Sequence, residues 1–247
     1  MAPSDPLKTL EDIVRDAAEI GTRWGRKRDE LSLDEKSVGQ FASNADLEIE
    51  HAIRTALTEA FPGQAIIGEE LGGELREHQS GWAIDPIDGT SNFVLGLPIW
   101  GISVGFIDKG VSTIGAISLP DLGLLLSAET GGGLRLNGSP ATTVRAHKSV
   151  KLIALGENDF EPGPVTDNRA QSFRDQGFAV VRYRCAVFSL VMSALGRLGG
   201  YVEQGCGLWD IAAADIICRE AGMDVTTASI APGRYAVDAR WPTDTSD

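Results

Sequence analysis

Trp82-Ala83-Ile84-Asp85-Pro86-Ile87-Asp88-Gly89-Thr90-Ser91-Asn92-Phe93 is the most informative stretch of the 247-residue chain. An apolar strand ends in two aspartates three apart, followed by a glycine and two hydroxyl residues. Asp, Pro, Gly and Ser are the residues turns use, so a plain turn is one reading. The other starts from charge: a strand exit that brings Asp85 and Asp88 together sets two carboxylates against each other unless a proton or a cation intervenes. Hard oxygen donors at about 2.0–2.1 Å are what Mg2+ requires. If Gly89-Thr90-Ser91 opens a helical turn, its free N–H groups suit a phosphate. Spacing alone leaves both readings open.

Outward from this stretch the chain alternates between helical and strand periodicity. Upstream, Asp5-Pro6 is a helix opening and the apolar residues that follow predict an amphipathic helix over 6–29. Residues 31–40 are polar, contain Gly39 and read as a mobile loop. Ser43 or Asn44 caps a second helix, with Leu47, Ala52, Ile53, Ala56, Leu57 and Ala60 as its inner stripe and Phe61-Pro62-Gly63 as its end. Downstream, runs at 99–107, 113–119 and 124–128 are separated by short polar turns and predict an antiparallel meander. Residues 131–140 add an edge strand with an Asn137-Gly138 turn. Strands at 152–155, 178–183 and 201–203 then alternate with helices at 166–176, 186–198 and 210–221. The fold class is mixed α/β (α+β), layered, with lobes at 1–140 and 141–247 that form a single compact unit; the pattern changes near residues 138–149. The chain ends at Asp247, soon after the last helix, which points to a C-terminal lobe short of an element.

Composition narrows the chemistry. Lys and Arg total 22 against 35 Asp and Glu, a formal charge of −13. Such a field repels nucleic acid and anionic lipid, and at first sight anionic small substrates too. No signal-peptide pattern opens the chain, and the apolar run 93–107 is broken by four Gly and Pro residues and falls short of the roughly 20 residues a bilayer crossing needs. Three cysteines, Cys185, Cys206 and Cys218, without C-x-x-C spacing speak against a disulfide framework or zinc knuckle and for a reducing cytoplasm.

Further acids stand at strand and helix ends: Ile66-Ile67-Gly68-Glu69-Glu70, Glu203, and Trp209-Asp210, where Asp210 also suits an N-cap. His51, His78 and His147 lie in polar surroundings, so a histidine-based nucleophilic triad has no support.

Gly68-Glu69-Glu70, the Asp85-Pro86-Ile87-Asp88-Gly89-Thr90-Ser91 word and Trp209-Asp210-Ile211-Ala212-Ala213 together resemble the three signatures of the inositol monophosphatase family, in order and at matching separation. Asp46, Leu136-Asn137-Gly138 and Arg219-Glu220-Ala221-Gly222 are lesser echoes. The resemblance implies an αβαβα sandwich and a Mg2+-dependent, lithium-sensitive phosphatase with two or three ions, working as a homodimer. It implies that Glu69, Asp85, Asp88, Asp210 and the main-chain oxygen of Ile87 hold metal. Thr90 and Glu69 would position the attacking water, with Asp46 supporting Thr90. Asp88, Gly89, Thr90, Cys185, Ala186, Glu203 and Asp210 would contact substrate, Glu203 through a hydroxyl of the alcohol. Two Mg2+ would cancel four carboxylates locally, so the acidity no longer argues against a phosphate monoester.

The chain also departs from the family. Arg184-Cys185-Ala186-Val187 stands where Gly-Ser-Ala-Ala is common, and Met223 replaces a glycine after the last helix. Gly96-Leu97-Pro98-Ile99-Trp100 resembles the histidinol-phosphatase branch. The leading expectation is therefore hydrolysis of inositol monophosphate or a related polyol phosphate. Histidinol phosphate is the alternative, ahead of a nucleotide bisphosphate or a catalytically idle interaction protein on the same scaffold.

Overall fold

In the computed structural model the described residues are 3–37, 40–76, 78–143, 147 and 149–242. Helix α1 (Pro6–Gly25) starts where the Asp5 carboxylate accepts from the Lys8 amide at 2.9 Å. It ends before the expected residue 29 because Arg28 folds back, donating to the Gly25 carbonyl and, at 2.7 Å, to that of Phe93. Residues Arg28–Glu30 form a separate 3-10 turn. Helix α2 (Asn44–Ala60) opens with a capping box in which Ser43 and Asp46 bond each other reciprocally. Its buried face is Ala45, Ile49, Ile53 and Leu57 with Asp46 and Glu50; of the expected stripe, Ile53 and Leu57 are buried, Ala52, Ala56 and Ala60 are half-buried, and Leu47 is exposed.

Residues 31–40 correct the expectation of a mobile loop. Strand β1 (Leu33–Ser37) pairs antiparallel with β2 (Gln40–Ser43), and Lys36 on β1 is tied to Glu69 and Glu70. Residues 38–39 lie outside the described residues.

A seven-stranded sheet follows: β3 (Ala65–Gly68), β4 (Gly81–Asp88), β5 (Gly101–Asp108), β6 (Val111–Leu119), β7 (Leu124–Glu129), β8 (Gly133–Leu136) and β9 (Ser139–Pro140), in chain order. Only β3 and β4 run parallel; the rest is the expected meander. Helix α3 (Thr90–Val94) leaves the end of β4. A second, five-stranded sheet has the order β11-β10-β12-β14-β13, from β10 (Leu152–Leu155), β11 (Ala179–Val181), β12 (Gly200–Cys206), β13 (Asp224–Ala231) and β14 (Arg234–Arg240). The β13–β14 hairpin supplies the element the C-terminal part was expected to lack. Most of β13 is exposed on both faces, so it carries no apolar alternation to read.

Alternation along the first sheet sorts its residues into two cores. Trp82, Ile84, Ile102, Val104 and Ala116 face α1 and α2. Ala83, Gly105, Gly115 and Ile117 face the opposite way, toward α6 (Leu208–Glu220), which with α5 (Ala186–Ala194) fills the space between the two sheets. On the far side of the second sheet, α4 (Gly163–Asp175) buries Ala170 and Phe173 against Ile153, Leu155 and Val202. The layers read α-β-α-β-α, a mixed α/β sandwich. Part of the expected boundary at 138–149 lies outside the described residues. No helix among the described residues is long and apolar enough to cross a membrane.

Candidate active site

Asp85 and Asp88, three apart, would face opposite sides of a regular strand. In β4 they share a face because of a bulge: Asp85 pairs with Ser103 and Asp88 with Gly101, so Pro86 and Ile87 oppose the single residue Ile102. Ile87 goes into the α1–α2 core. Gly89 then turns the chain at φ 83°, a left-handed conformation that suits glycine, and α3 begins.

Around this bulge the fold brings together acids from four separate segments. Glu69 and Glu70 follow β3, and the Glu69 amide donates to the Ile84 carbonyl at 3.1 Å. Asp210 lies in the first turn of α6, where its Oδ2 accepts from the Gly207 amide at 2.6 Å. Asp88 Oδ2 accepts from the Val187 amide at 2.6 Å, with the Cys185 thiol 3.4 Å away. Thr90 donates its hydroxyl to the Ile87 carbonyl at 3.0 Å and lies 3.4 Å from Asp46 Oδ1. Asp85 Oδ1 is buried without a hydrogen-bond partner. Glu69, Asp85, Ile87, Asp88, Gly89, Thr90, Cys185, Ala186, Glu203 and Asp210 line one cleft of ≈ 400 Å³. Asp46 stands behind it, fully buried.

Electrostatics show what this cluster lacks. Burial, then Glu69, Asp88 and Asp210, push the Asp85 carboxyl well above its ordinary value. Asp210 is raised by burial and by Asp88, Glu69 and Glu203. Burial raises Asp88 to about 7 against the lowering bonds from Val187 and Cys185, and burial raises Asp46 to about 7 as well. One cation reaches the cluster through the bonds described: Lys36, whose ammonium lies 2.9 Å from Glu69 and 2.5 Å from Glu70. Burial pulls Lys36 down, but the two glutamates outweigh it and hold it above its usual value.

Carboxylates gathered around an orphaned buried oxygen, with no histidine lining the cleft, fit hard divalent cations. Among the described residues no three acidic, histidine or cysteine side chains already close around one point. The candidate donors share one cleft without forming a closed ligand set.

Several contributors carried no signal in the motifs. Glu50 on α2 has no exposed surface and accepts from the amides of Glu70 (2.8 Å) and Leu71 (3.2 Å). Lys36, Tyr201 and Asn158 also line or close the cleft. For Glu50 a signal existed: Asp46 and Glu50 fall on the inner face of α2, where unpaired acids are rarely tolerated. Conversely, the Gly96–Trp100 word has no residue in the cleft; Trp100 is core, stacked edge-on against Phe93. His51, His78 and His147 are exposed and outside it.

The model of the inositol monophosphatase family matches residues 6–240. Among curated proteins, an inositol-1-monophosphatase of Synechocystis sp. is 33% identical over 94% of this chain and 83% of its own length. A histidinol-phosphatase of Chlorobaculum parvum is 33% identical over 73% of this chain and 70% of its own. Among solved structures, the extragenic suppressor protein suhB of Bartonella henselae superposes with a TM-score of 0.81 at 26% identity, covering 93% of this chain and 92% of that one.

Proposed function

The chain belongs to the inositol monophosphatase family, a family generally of metal-dependent phosphatases, and on that premise we propose that it is a Mg2+-dependent phosphomonoesterase acting on inositol monophosphate or a related polyol phosphate. The observation that carries this reading is the bulge that turns Asp85 and Asp88 to one face beside Glu69 and Asp210, leaving a buried Asp85 oxygen unpartnered.

In this reading Glu69, Asp85, Asp88, Asp210 and the Ile87 carbonyl hold two or three Mg2+. Bound there, the ions would neutralise the phosphate, make water more acidic and stabilise the leaving alkoxide. The protein supplies the positioning. Thr90, fixed by Ile87 and supported by Asp46, presents its hydroxyl with Glu69 where the attacking water must lie. Gly89 and Thr90, at the start of α3, offer amides to the phosphate. Cys185 and Ala186 bound the same space, and burial holds the Cys185 thiol well above its ordinary value, so it packs rather than reacts. Glu203 meets the alcohol part.

Asp88→Asn is the direct test. The amide keeps an oxygen to accept from Val187 but removes the charge. Mg2+-dependent phosphate release should fall about a hundredfold or more while circular dichroism stays native. Undiminished release would refute the assignment. A panel of myo-inositol 1-phosphate, histidinol phosphate, sugar phosphates and adenosine bisphosphate, with and without Li+, ranks the substrates by kcat/KM. We also propose a cytoplasmic homodimer that does not bind nucleic acid, which sedimentation and a gel-shift titration would check; three buried free cysteines and the −13 charge support the compartment and the lack of nucleic-acid binding.

A further inference from the structure

Glu203 sits on β12 with 7% exposure, and both of its oxygens are already held. Asn158 Nδ2 donates to Oε1 at 2.9 Å, and the Tyr201 hydroxyl donates to Oε2 at 2.6 Å. Tyr201 precedes Glu203 by two residues, so the two side chains share a face of the strand. Asn158 is itself fixed: its Nδ2 also donates to the Gln204 carbonyl at 2.9 Å and its Oδ1 accepts from the Phe160 amide at 2.9 Å. Gly156, just past β10, completes the hold. A Cβ there would come within 2.2 Å of Glu203 Cδ and 2.5 Å of its Cβ, so only glycine lets the carboxylate lie against this strand end.

The holders are neutral. Arg169, whose charge Glu203 feels, is occupied by Glu161 through two bonds of 2.5 and 2.6 Å. Stability alone does not call for a buried carboxylate steadied only by neutral donors, because its desolvation is poorly compensated. What such an arrangement does provide is an acceptor with lone pairs to spare, locked in one rotamer. Gly156, Asn158, Tyr201 and Glu203 line the same cleft as Asp88 and Asp210, and the Glu203 charge acts on both aspartates.

We infer that Asn158 and Tyr201 are positioning residues that aim Glu203 at a hydrogen-bond donor on the leaving alcohol, making the enzyme selective for phosphomonoesters of alcohols that carry a hydroxyl or ammonium over plain aryl phosphates. The inference rests on the phosphomonoesterase reading and adds to it the residues that set selectivity.

Asn158→Leu and Tyr201→Phe each remove one donor in the full-length protein. With Mg2+ saturating, kcat and KM are measured for phenyl phosphate and for whichever of myo-inositol 1-phosphate and histidinol phosphate the wild type turns over better. Each variant should raise KM for the donor-bearing substrate about tenfold with kcat nearly unchanged, the worth of one hydrogen bond to a charged group. Phenyl phosphate kinetics should not move, which also reports that the site is intact. Equal losses on both substrates, or no change on either, would overturn the inference while leaving the phosphatase reading standing. If Tyr201→Phe fails to fold, Asn158→Leu, at a half-buried loop position, decides alone. A wild type that releases phosphate from no monoester refutes the underlying reading and the inference with it.

Discussion

A glutamate with no exposed atom, Glu50, holds the turn that carries Glu69. Its oxygens accept from the amides of Glu70 and Leu71 and, at 2.8 Å, from Arg54 Nε. Arg54 in turn donates to the Gly72 carbonyl, so the turn is gripped on both sides. Gly68 leaves the room: a Cβ there would meet Glu50 Oε1 at 2.0 Å. Glu50→Gln keeps the shape but removes the charge, and should lower stability in urea denaturation by about 1.5–3 kcal/mol. Mg2+ titrated calorimetrically should bind the variant more weakly, because Glu69 loses its fixed place; unchanged affinity would show that the turn holds itself. The metal-ligand candidates were legible residue by residue, since acids at strand and helix ends stand out. Their supports were less so: Asp46 and Glu50 stand out as acids on the inner face of α2, but which distant turn such a carboxylate caps leaves no local pattern.

Among the elements, α6 sets the most. Its start carries Asp210, and its body lies directly on β5 and β6 at two glycines. A Cβ on Gly105 would stand 2.5 Å from the Ala213 nitrogen, and one on Gly115 would stand 2.6 Å from the Ala213 carbonyl oxygen. Backbone cannot swing aside as a side chain can, so Gly105→Ala should shift the helix and destabilise the protein by about 1–3 kcal/mol. Asp210 would move with it, and Mg2+ affinity should fall in the same variant. Wild-type affinity together with wild-type stability would show that α6 does not depend on this contact. The far end of α6 explains the Arg219-Glu220 echo: Glu220 accepts from the amides of Gly131 and Gly133 at 2.8 Å each, and Arg219 pairs with Asp215. Of the elements that escaped sequence reading, β1, β2 and β13 carry little apolar alternation and are held by cross-strand bonding and, for Lys36, by a charge pair, whereas β14 buries Val237 and Ala239 in the core.

For the whole molecule the decisive quantity is the charge gathered in the cleft. Asp46 and Asp88 rise to about 7 from 3.8, and Asp85 and Asp210 are raised well above it. A folded-state pKa above the unfolded value means that the folded protein binds the extra protons. That stabilisation is complete below about 3.8 and is lost as pH climbs through 7. Metal-free protein in EDTA should therefore show a Tm that falls between pH 5 and 8, and Mg2+ should restore it most at pH 8, where the cation replaces the missing protons. A metal-free Tm that rises over this range would contradict the mutual repulsion on which the metal assignment stands. By itself the sequence determined where the longer helices and the meander lie, to within a few residues at their ends, the family, and the residues to be expected at the site, because apolar periodicity and motif spacing are local properties of the chain. Only the tertiary structure decided that Asp85 and Asp88 share a face, that Lys36 and Asn158 line the cleft while Glu50 braces the turn beside it, and that Trp100 lies in the core. Those facts depend on a bulge register and on contacts between segments far apart in the chain, which no local pattern encodes.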